Sequence, residues 1–224
     1  MENNVVLHKG YYWPKKDGSM EITSDYAHTD STCYHLMNLF NHIPDSLAKY
    51  VDNKNVIIQA GGNAGFYVKR YSELFNKVYT FEPDPTNFYC LNLNVTSPNV
   101  YKYQAFLGEN HECKEIINTY ATYGHGGSHV SNNSGNIPTL RIDDLNLPEC
   151  DLIHLDIEGY ELFAILGGIE TIKRCKPIIC IEDFPPWKER YNTSIESIEK
   201  ILFDIGYSRI GQVEGDTDKI YKMI

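Results

Sequence analysis

The sequence predicts an α/β fold, a doubly wound and mostly parallel sheet that ends in an antiparallel hairpin. Three observations predict it. After residue 55, short β-rich runs alternate with longer amphipathic segments, as in successive βαβ units. The first of these runs stops at a cluster of small residues, 61–65, and the last two flank a turn-like segment, 214–216. With 224 residues, we expect one main domain over 51–224 and an N-terminal extension, 1–50, on the substrate side.

The individual elements follow from the spacing of apolar residues. Apolar runs predict strands over 56–60, 77–82, 99–107, 151–156 and 177–182, and helical spacing predicts helices over 34–43, 64–75, 84–95, 159–167 and 194–205. The hairpin strands are expected at Tyr207–Gln212 and Lys219–Met223. One stretch interrupts the alternation: residues 112–120 suit an added strand, whereas 123–135 are rich in glycine, serine and asparagine. We expect 123–135 to form a long irregular loop over the active face.

The charge and composition of the chain exclude several classes of function. Thirty acidic and 20 basic residues give a net charge of −10, which does not favour binding to a phosphate backbone. No stretch approaches the ~18 consecutive apolar residues of a membrane span. The six cysteines contain no C-x-x-C pair, so buried reduced thiols are expected. We therefore expect a cytoplasmic protein that binds neither nucleic acid nor membrane, and the oligomeric state is left open.

A cofactor site is predicted where the first two strands end. The first strand leads through Gln59 into a loop that contains Gly61, Gly62, Asn63 and Gly65, and a helix starts at Phe66. The second strand ends in Glu82 and Pro83. In a doubly wound sheet this pairing places a nucleotide-like ligand on the glycine loop and its ribose hydroxyls within reach of the carboxylate.

The spacing of the glycines distinguishes between cofactors. A dinucleotide fingerprint needs glycines at the first, third and sixth positions of G-x-G-x-x-G, and only Gly61 satisfies it, since Asn63 and Phe66 hold the other two positions. The loop is instead similar to the S-adenosylmethionine loop of class I methyltransferases. In that loop an acidic residue precedes the glycines, and here Gln59 stands at the acidic position.

Further motifs sharpen this resemblance. The chain resembles the FkbM family of S-adenosylmethionine-dependent methyltransferases in five motifs that occur in the family's order, namely 61–65, 81–83, 139–145, 155–161, and 176–177 with 181–182. The segment Asp156-Ile157-Glu158-Gly159-Tyr160-Glu161 is the most specific of them. The resemblance implies a Rossmann-like fold, S-adenosylmethionine as cofactor and O-methylation of a small-molecule hydroxyl, most plausibly on a sugar or glycan.

Candidate catalytic residues lie where the fourth and fifth strands are expected to end. A hydroxyl acceptor must lose its proton, so a general base or a metal is needed. Asp156 is the first candidate base, and His125 and His129 of the long loop are the alternatives. A magnesium ion held by Asp156, Glu182 and Asp183 is a further possibility, because hard cations prefer carboxylate oxygens.

Two other functions stay open from the residues alone. Gln59 in the acidic position is compatible with a degenerate methyltransferase fold that acts as a binding or scaffold module. An NAD or nucleotide-sugar enzyme on a similar sheet is the second alternative, which the incomplete dinucleotide fingerprint disfavours.

Overall fold

The computed structural model describes residues 4–8, 10–14, 41–117, 128–214 and 217–224. The described part contains a central seven-stranded sheet, formed by β3 (Val56–Ala60), β4 (Lys77–Phe81), β5 (Val100–Tyr103), β10 (Leu152–Leu155), β11 (Ile178–Ile181), β12 (Tyr207–Gln212) and β13 (Lys219–Met223). Their order across the sheet is β12-β13-β11-β10-β3-β4-β5. This is the predicted doubly wound architecture with its C-terminal hairpin.

The three central strands are mostly apolar and are buried on both faces. Every residue of β3, β10 and β11 is buried, as expected for central strands of a parallel sheet covered by helices on both sides. Alternate residues supply the two cores: Ile58 and Ile153 pack into one, and Ile57 and Leu152 into the other.

The order of the strands fixes the place of a ligand site. β3 pairs in parallel with β4 on one side and with β10 on the other. The chain runs from β3 outward to β5 and then returns to β10, so the strand order reverses between β3 and β10. Ligands of such sheets bind in the crevice outside the carboxyl ends of the strands at this switch point.

The helices follow most of the predicted spans. The four predicted between residues 64 and 205 are observed at Phe66–Leu74, Pro85–Asn94, Glu161–Leu166 and Ile195–Asp204. The sequence analysis missed two short helices, Ile169–Cys175 and Pro185–Glu189. Residues 41–47 are also helical, whereas most of the helix predicted over 34–43 lies outside the described residues.

Two predictions about the middle of the chain are wrong. The strand predicted over 99–107 is divided, because β5 ends at Tyr103 and β6 (Phe106–Leu107) belongs to a second sheet. Residues 129–134, predicted as irregular, form β8 (His129–Ser134) and pair antiparallel with β7 (Cys113–Ile117). Their backbone hydrogen bonds to β7 outweigh the turn-like composition, while 118–127 lie outside the described residues. β9 (Ile137–Leu140) completes this four-stranded sheet.

The N-terminal residues form an antiparallel hairpin, β1 (Val5–His8) and β2 (Tyr11–Pro14). Asn94 anchors it, since its side chain accepts a hydrogen bond from the backbone of Tyr12 and donates one back, both at 2.8 Å. Trp13 packs on Phe66 with ring centroids 4.6 Å apart. The hairpin therefore lies against the start of the first helix after the glycine loop.

Along the parts of the chain that the structure describes, every helix is too short or too polar to cross a bilayer.

Candidate functional site

A cavity of about 270 Å³ opens at the switch point of the central sheet. It lies at the carboxyl ends of β3, β4 and β10, where the fold and the sequence both predict a ligand. The predicted site residues that line it are Gly61, Gly62, Asn63, Phe66, Glu82, Pro83, His129, Asp156 and Glu182. The fold thus brings most of the predicted positions to one cavity.

Gly61 brings the ends of β3 and β10 together. Its φ of +86° lies in the left-handed region, and a β-carbon at this position would overlap with the carbonyl oxygen of Asp156. The N–H groups of Gly61 and Gly62 donate to the carbonyl of Phe81 at 3.1 and 2.9 Å. The loop is therefore tied to both neighbouring strands, which only a residue without a side chain allows.

Glu82 faces the cavity from the end of β4 and is 4% exposed. Its carboxylate accepts hydrogen bonds from the backbone N–H groups of Asn63, at 2.6 Å, and Asp84, at 2.8 Å. Burial raises the pKa of Glu82 to about 8, although these two donors act in the opposite direction. A carboxylate has about four acceptor positions, so capacity is left for a ligand's hydroxyl groups.

Two residues predicted to contact the cofactor do not line the cavity. The side-chain amide of Gln59 is fully buried, where it donates to the carbonyl of Gly61 at 2.9 Å and accepts from the hydroxyl of Thr80 at 2.6 Å. Gly65 packs against the next helix, and a β-carbon there would lie 2.9 Å from Leu91. Both residues support the loop from the side away from the cavity, so the geometry does not support Gln59 as a residue that contacts the cofactor.

Three carboxyl groups, those of Asp156, Glu158 and Glu182, line the opposite wall. One carboxyl oxygen of Glu158 and one of Glu182 are buried without a hydrogen-bond partner among the described residues. Burial and the neighbouring Asp156 raise the pKa of Glu158 to about 9 and raise that of Glu182 further. A bound cation would favour the ionised form of these carboxyl groups, so this wall suits a positively charged ligand.

The carboxylate of Asp183 belongs to a different arrangement. It lies 3.9 Å from the ammonium of Lys188 and 3.7 Å from that of Lys219. Lys188 is itself buried and also contacts Glu161 at 3.5 Å. Two ammonium groups beside Asp183 oppose a second cation there, so the geometry gives no support to the magnesium site predicted from Asp156, Glu182 and Asp183.

Of the two candidate histidines, His129 lies among the described residues. His129 stands at the start of β8, half-buried, and lines the cavity beside Ser128 and Val130. His125 lies outside the described residues, so its predicted role stays a prediction.

Sequence reasoning missed several residues of the lining. Trp13 reaches the cavity from the N-terminal hairpin, Tyr67 from the helix Phe66–Leu74, and Tyr160 from the turn after Asp156. The amide oxygen of Asn87 is buried without a hydrogen-bond partner among the described residues. Only Tyr160 lies within a motif that the sequence analysis used; the others come to the site through tertiary packing that carries no local signal.

Comparison with known families gives a clear assignment. Residues 59–209 match the family of the methyltransferase FkbM domain, which is well over half of the chain. The match begins at Gln59, next to the glycine loop, and extends into β12. No curated protein sequence is significantly similar to this chain.

Solved structures of methyltransferases are similar to this chain to different degrees, and one of them has a TM-score above 0.5. A methyltransferase FkbM from Methylobacillus flagellatus KT superposes with a TM-score of 0.51 at 18% identity, covering 76% of this chain and 44% of that one. The present chain thus spans less than half of that protein's length. An S-adenosylmethionine-dependent methyltransferase from Aquifex aeolicus gives 0.47 at 19% identity, with coverages of 87% and 97%. Magnesium protoporphyrin IX methyltransferase from Synechocystis, solved with bound S-adenosylmethionine, gives 0.48 at 11%, with 91% and 86%.

Proposed function

The chain belongs to the FkbM methyltransferase family. From this we propose that it transfers a methyl group from S-adenosylmethionine to a hydroxyl of a small molecule of the sugar or glycan class. One observation carries the proposal: Gly61 and Glu82, at the ends of adjacent strands, face one cavity at the switch point of the sheet.

The residues of the cavity fit this cofactor. Glu82 accepts hydrogen bonds from the ribose hydroxyls, since its carboxylate faces the cavity with unused acceptor positions. The amide oxygen of Asn87, which has no hydrogen-bond partner among the described residues, accepts a hydrogen bond from the exocyclic amine of adenine. Phe106 and Leu107 supply apolar surface beside the base. These contacts fix the nucleoside half of the cofactor.

The charge of the cavity favours S-adenosylmethionine over NAD. Four carboxyl groups line the described part of the cavity, those of Glu82, Asp156, Glu158 and Glu182, and no lysine or arginine is among its described lining residues. A bound sulfonium and ammonium favour the ionised form of these carboxyl groups and are attracted to them. A pyrophosphate would disfavour that ionised form, and the described lining holds no lysine or arginine to offset its charge. When bound, the cofactor supplies an electrophilic methyl group on a sulfonium leaving group. Glu158 and Glu182 hold its charged end, and Asp156 lines the cavity with them.

Positioning and proton removal are the tasks left to the protein. Methyl transfer is an in-line displacement, so the acceptor oxygen must be held opposite the sulfonium. Asp156 takes the hydroxyl proton as general base, because its side chain follows β10 directly and faces the cavity. His129, which also lines the cavity, is the alternative base. Glu158 and Glu182 are less suited, because burial raises their pKa values in the free protein and the charged end of the bound cofactor occupies them.

Activity with a labelled methyl donor tests the proposal. The full-length chain is incubated with S-adenosylmethionine labelled in the methyl group and with a panel of sugars, glycans and other hydroxylated small molecules. We expect incorporation of label into a hydroxylated acceptor, with loss of most incorporation in Asp156→Asn. Label found on a nucleic acid or on an amine instead would contradict the proposed acceptor. Binding of NAD, with no binding of S-adenosylmethionine or S-adenosylhomocysteine, would contradict the cofactor.

A further inference from the structure

Three buried side chains of metal-binding type meet on one face of the central sheet. His154 lies in β10, and Cys180 is its direct neighbour in β11, since the two residues are paired in the parallel register. Asp218 immediately precedes β13. His154 and Cys180 are fully buried and Asp218 is 4% exposed. Two of the residues lie in adjacent strands and the third directly precedes another strand, so the tertiary fold brings them together.

The distances between the ligand atoms suit a single metal ion. Nε2 of His154 lies 3.4 Å from Oδ2 of Asp218, and Sγ of Cys180 lies 3.7 Å from the same oxygen. All three ligand atoms lie within 4.8 Å of one another. Tetrahedral zinc binds nitrogen and oxygen at about 2.0–2.2 Å and sulfur at about 2.3 Å, which separates neighbouring ligand atoms by about 3.3–3.6 Å.

The histidine is oriented as a metal ligand. Its Nδ1 is hydrogen-bonded to the hydroxyl of Tyr71 at 2.9 Å, and its Nε2 makes no hydrogen bond among the described residues. Histidine ligands generally use the second ring nitrogen in such a hydrogen bond, which fixes the tautomer and the orientation of the ring. In the tautomer whose Nδ1–H donates to Tyr71, the lone pair of Nε2 is available to a metal beside the thiol and the carboxylate.

Charge balance also favours a divalent cation. In the described part of the chain, Asp218 has no lysine or arginine at ion-pair distance, and its one ion-pair partner is His154. A buried carboxylate without a compensating charge is costly. A divalent cation with one thiolate, one carboxylate and one neutral imidazole forms a neutral group, which can be buried at less cost.

We propose that His154, Cys180 and Asp218 bind a transition metal of intermediate softness, with Zn²⁺ as the natural probe and a water molecule in the fourth position. Thiolate and imidazole select such a metal over Mg²⁺ or Ca²⁺. The site is separate from the cavity, although Tyr67 lies between them, with its ring 5.8 Å from that of His154 and its surface in the cavity lining. The metal joins β10, β11 and β13 beneath the strand ends that carry Asp156 and Glu182.

Metal content and spectroscopy test this proposal independently of methyl transfer. The full chain is expressed in medium supplemented with zinc or with cobalt, then purified and analysed by mass spectrometry for metals. We expect about one metal ion per chain and, in the cobalt form, a sulfur-to-cobalt charge-transfer band. Cys180→Ala should lose both signals. Cys150→Ala is the matched control, because Cys150 is also buried but its thiol donates to the carbonyl of Leu152.

Tyr71→Phe provides a second variant that keeps the ring and removes one oxygen. Loss of the hydrogen bond to Tyr71 that orients His154 should lower metal affinity about 10–100-fold. Competition with a chelator measures this affinity. Wild-type protein that contains no more metal than Cys180→Ala would overturn the proposal. A charge-transfer band that persists in Cys180→Ala would overturn it as well.

Discussion

The carboxylate of Glu82 and the backbone N–H of Asn63 are joined by a hydrogen bond of 2.6 Å. The end of the second parallel strand thus holds the loop that follows the first. A ligand on this loop therefore meets a carboxylate whose position is already fixed. This preorganised corner is the basis of the proposed cofactor site.

Glu82→Ala should weaken binding of S-adenosylmethionine. Loss of hydrogen bonds to a charged group is worth about 1.5–3 kcal/mol, which corresponds to roughly a 10–150-fold higher Kd. Isothermal titration calorimetry measures the Kd. Glu149→Ala, a change at an exposed glutamate, is the control and should bind S-adenosylmethionine like the wild type. An unchanged Kd in Glu82→Ala would remove the ribose assignment.

Asp156→Asn should separate binding from turnover. A general base contributes about 10²–10⁴-fold to rate, so kcat should fall by that amount while the Kd for S-adenosylmethionine changes little. The assay uses the best acceptor from the labelled panel, and Asp204→Asn, at the end of the helix Ile195–Asp204, serves as control. Equal turnover in the wild type and in Asp156→Asn would exclude Asp156 as the base.

Gly61→Ala should strongly destabilise the fold. A β-carbon there overlaps with the carbonyl of Asp156, and the backbone φ is +86°. Gly206→Ala isolates the backbone effect, because Gly206 has a φ of +95° and its β-carbon would find only Met223, at 4.0 Å. In urea denaturation we expect a loss of about 1 kcal/mol for Gly206→Ala and several-fold more for Gly61→Ala. Similar losses of unfolding free energy in both variants would show that the contact between residue 61 and the carbonyl of Asp156 adds no steric cost.

Glu158→Gln should stabilise the protein without bound cofactor at alkaline pH. Burial raises the pKa of Glu158 from 4.5 to about 9. Between these values the unfolded chain gives up the proton and the folded chain keeps it. The contribution of Glu158 to folding stability is therefore lost progressively as pH rises from about 4.5 to about 9.

The neutral amide removes this dependence. The unfolding free energy of Glu158→Gln should exceed that of the wild type by about 1–3 kcal/mol at pH 8, and the difference should shrink toward pH 5. Glu170→Gln, at an exposed position, should follow the wild-type curve. Wild-type and Glu158→Gln curves that run parallel from pH 5 to pH 9 would contradict the burial argument.

The parts of the fold that were predicted correctly are those with strong local patterns. β3 and both hairpin strands were predicted to the residue, because apolar runs and turn residues mark their ends. The glycine loop and Glu82 were found for the same reason, since each directly follows a strand. β8 was missed because its serine and asparagine residues are held by pairing with β7, which no local pattern shows.

The rest of the site depends on distant contacts. Trp13 enters through the N-terminal hairpin and Asn87 through the helix after Glu82, so neither belongs to a motif. Gln59 was assigned to the cofactor by its position in the loop motif, but its side chain turns into the sheet toward Thr80. The cluster of His154, Cys180 and Asp218 exists only once three strands are aligned, and so only the structure reveals it.

The most direct test of the account is a crystal structure of the full chain with S-adenosylhomocysteine. We predict the ribose hydroxyls at hydrogen-bond distance, about 2.6–3.0 Å, from the carboxylate of Glu82, with the amino-acid end toward Asp156 and Glu182. A ligand bound elsewhere, or a cavity left empty at saturating concentration, would contradict the central claim.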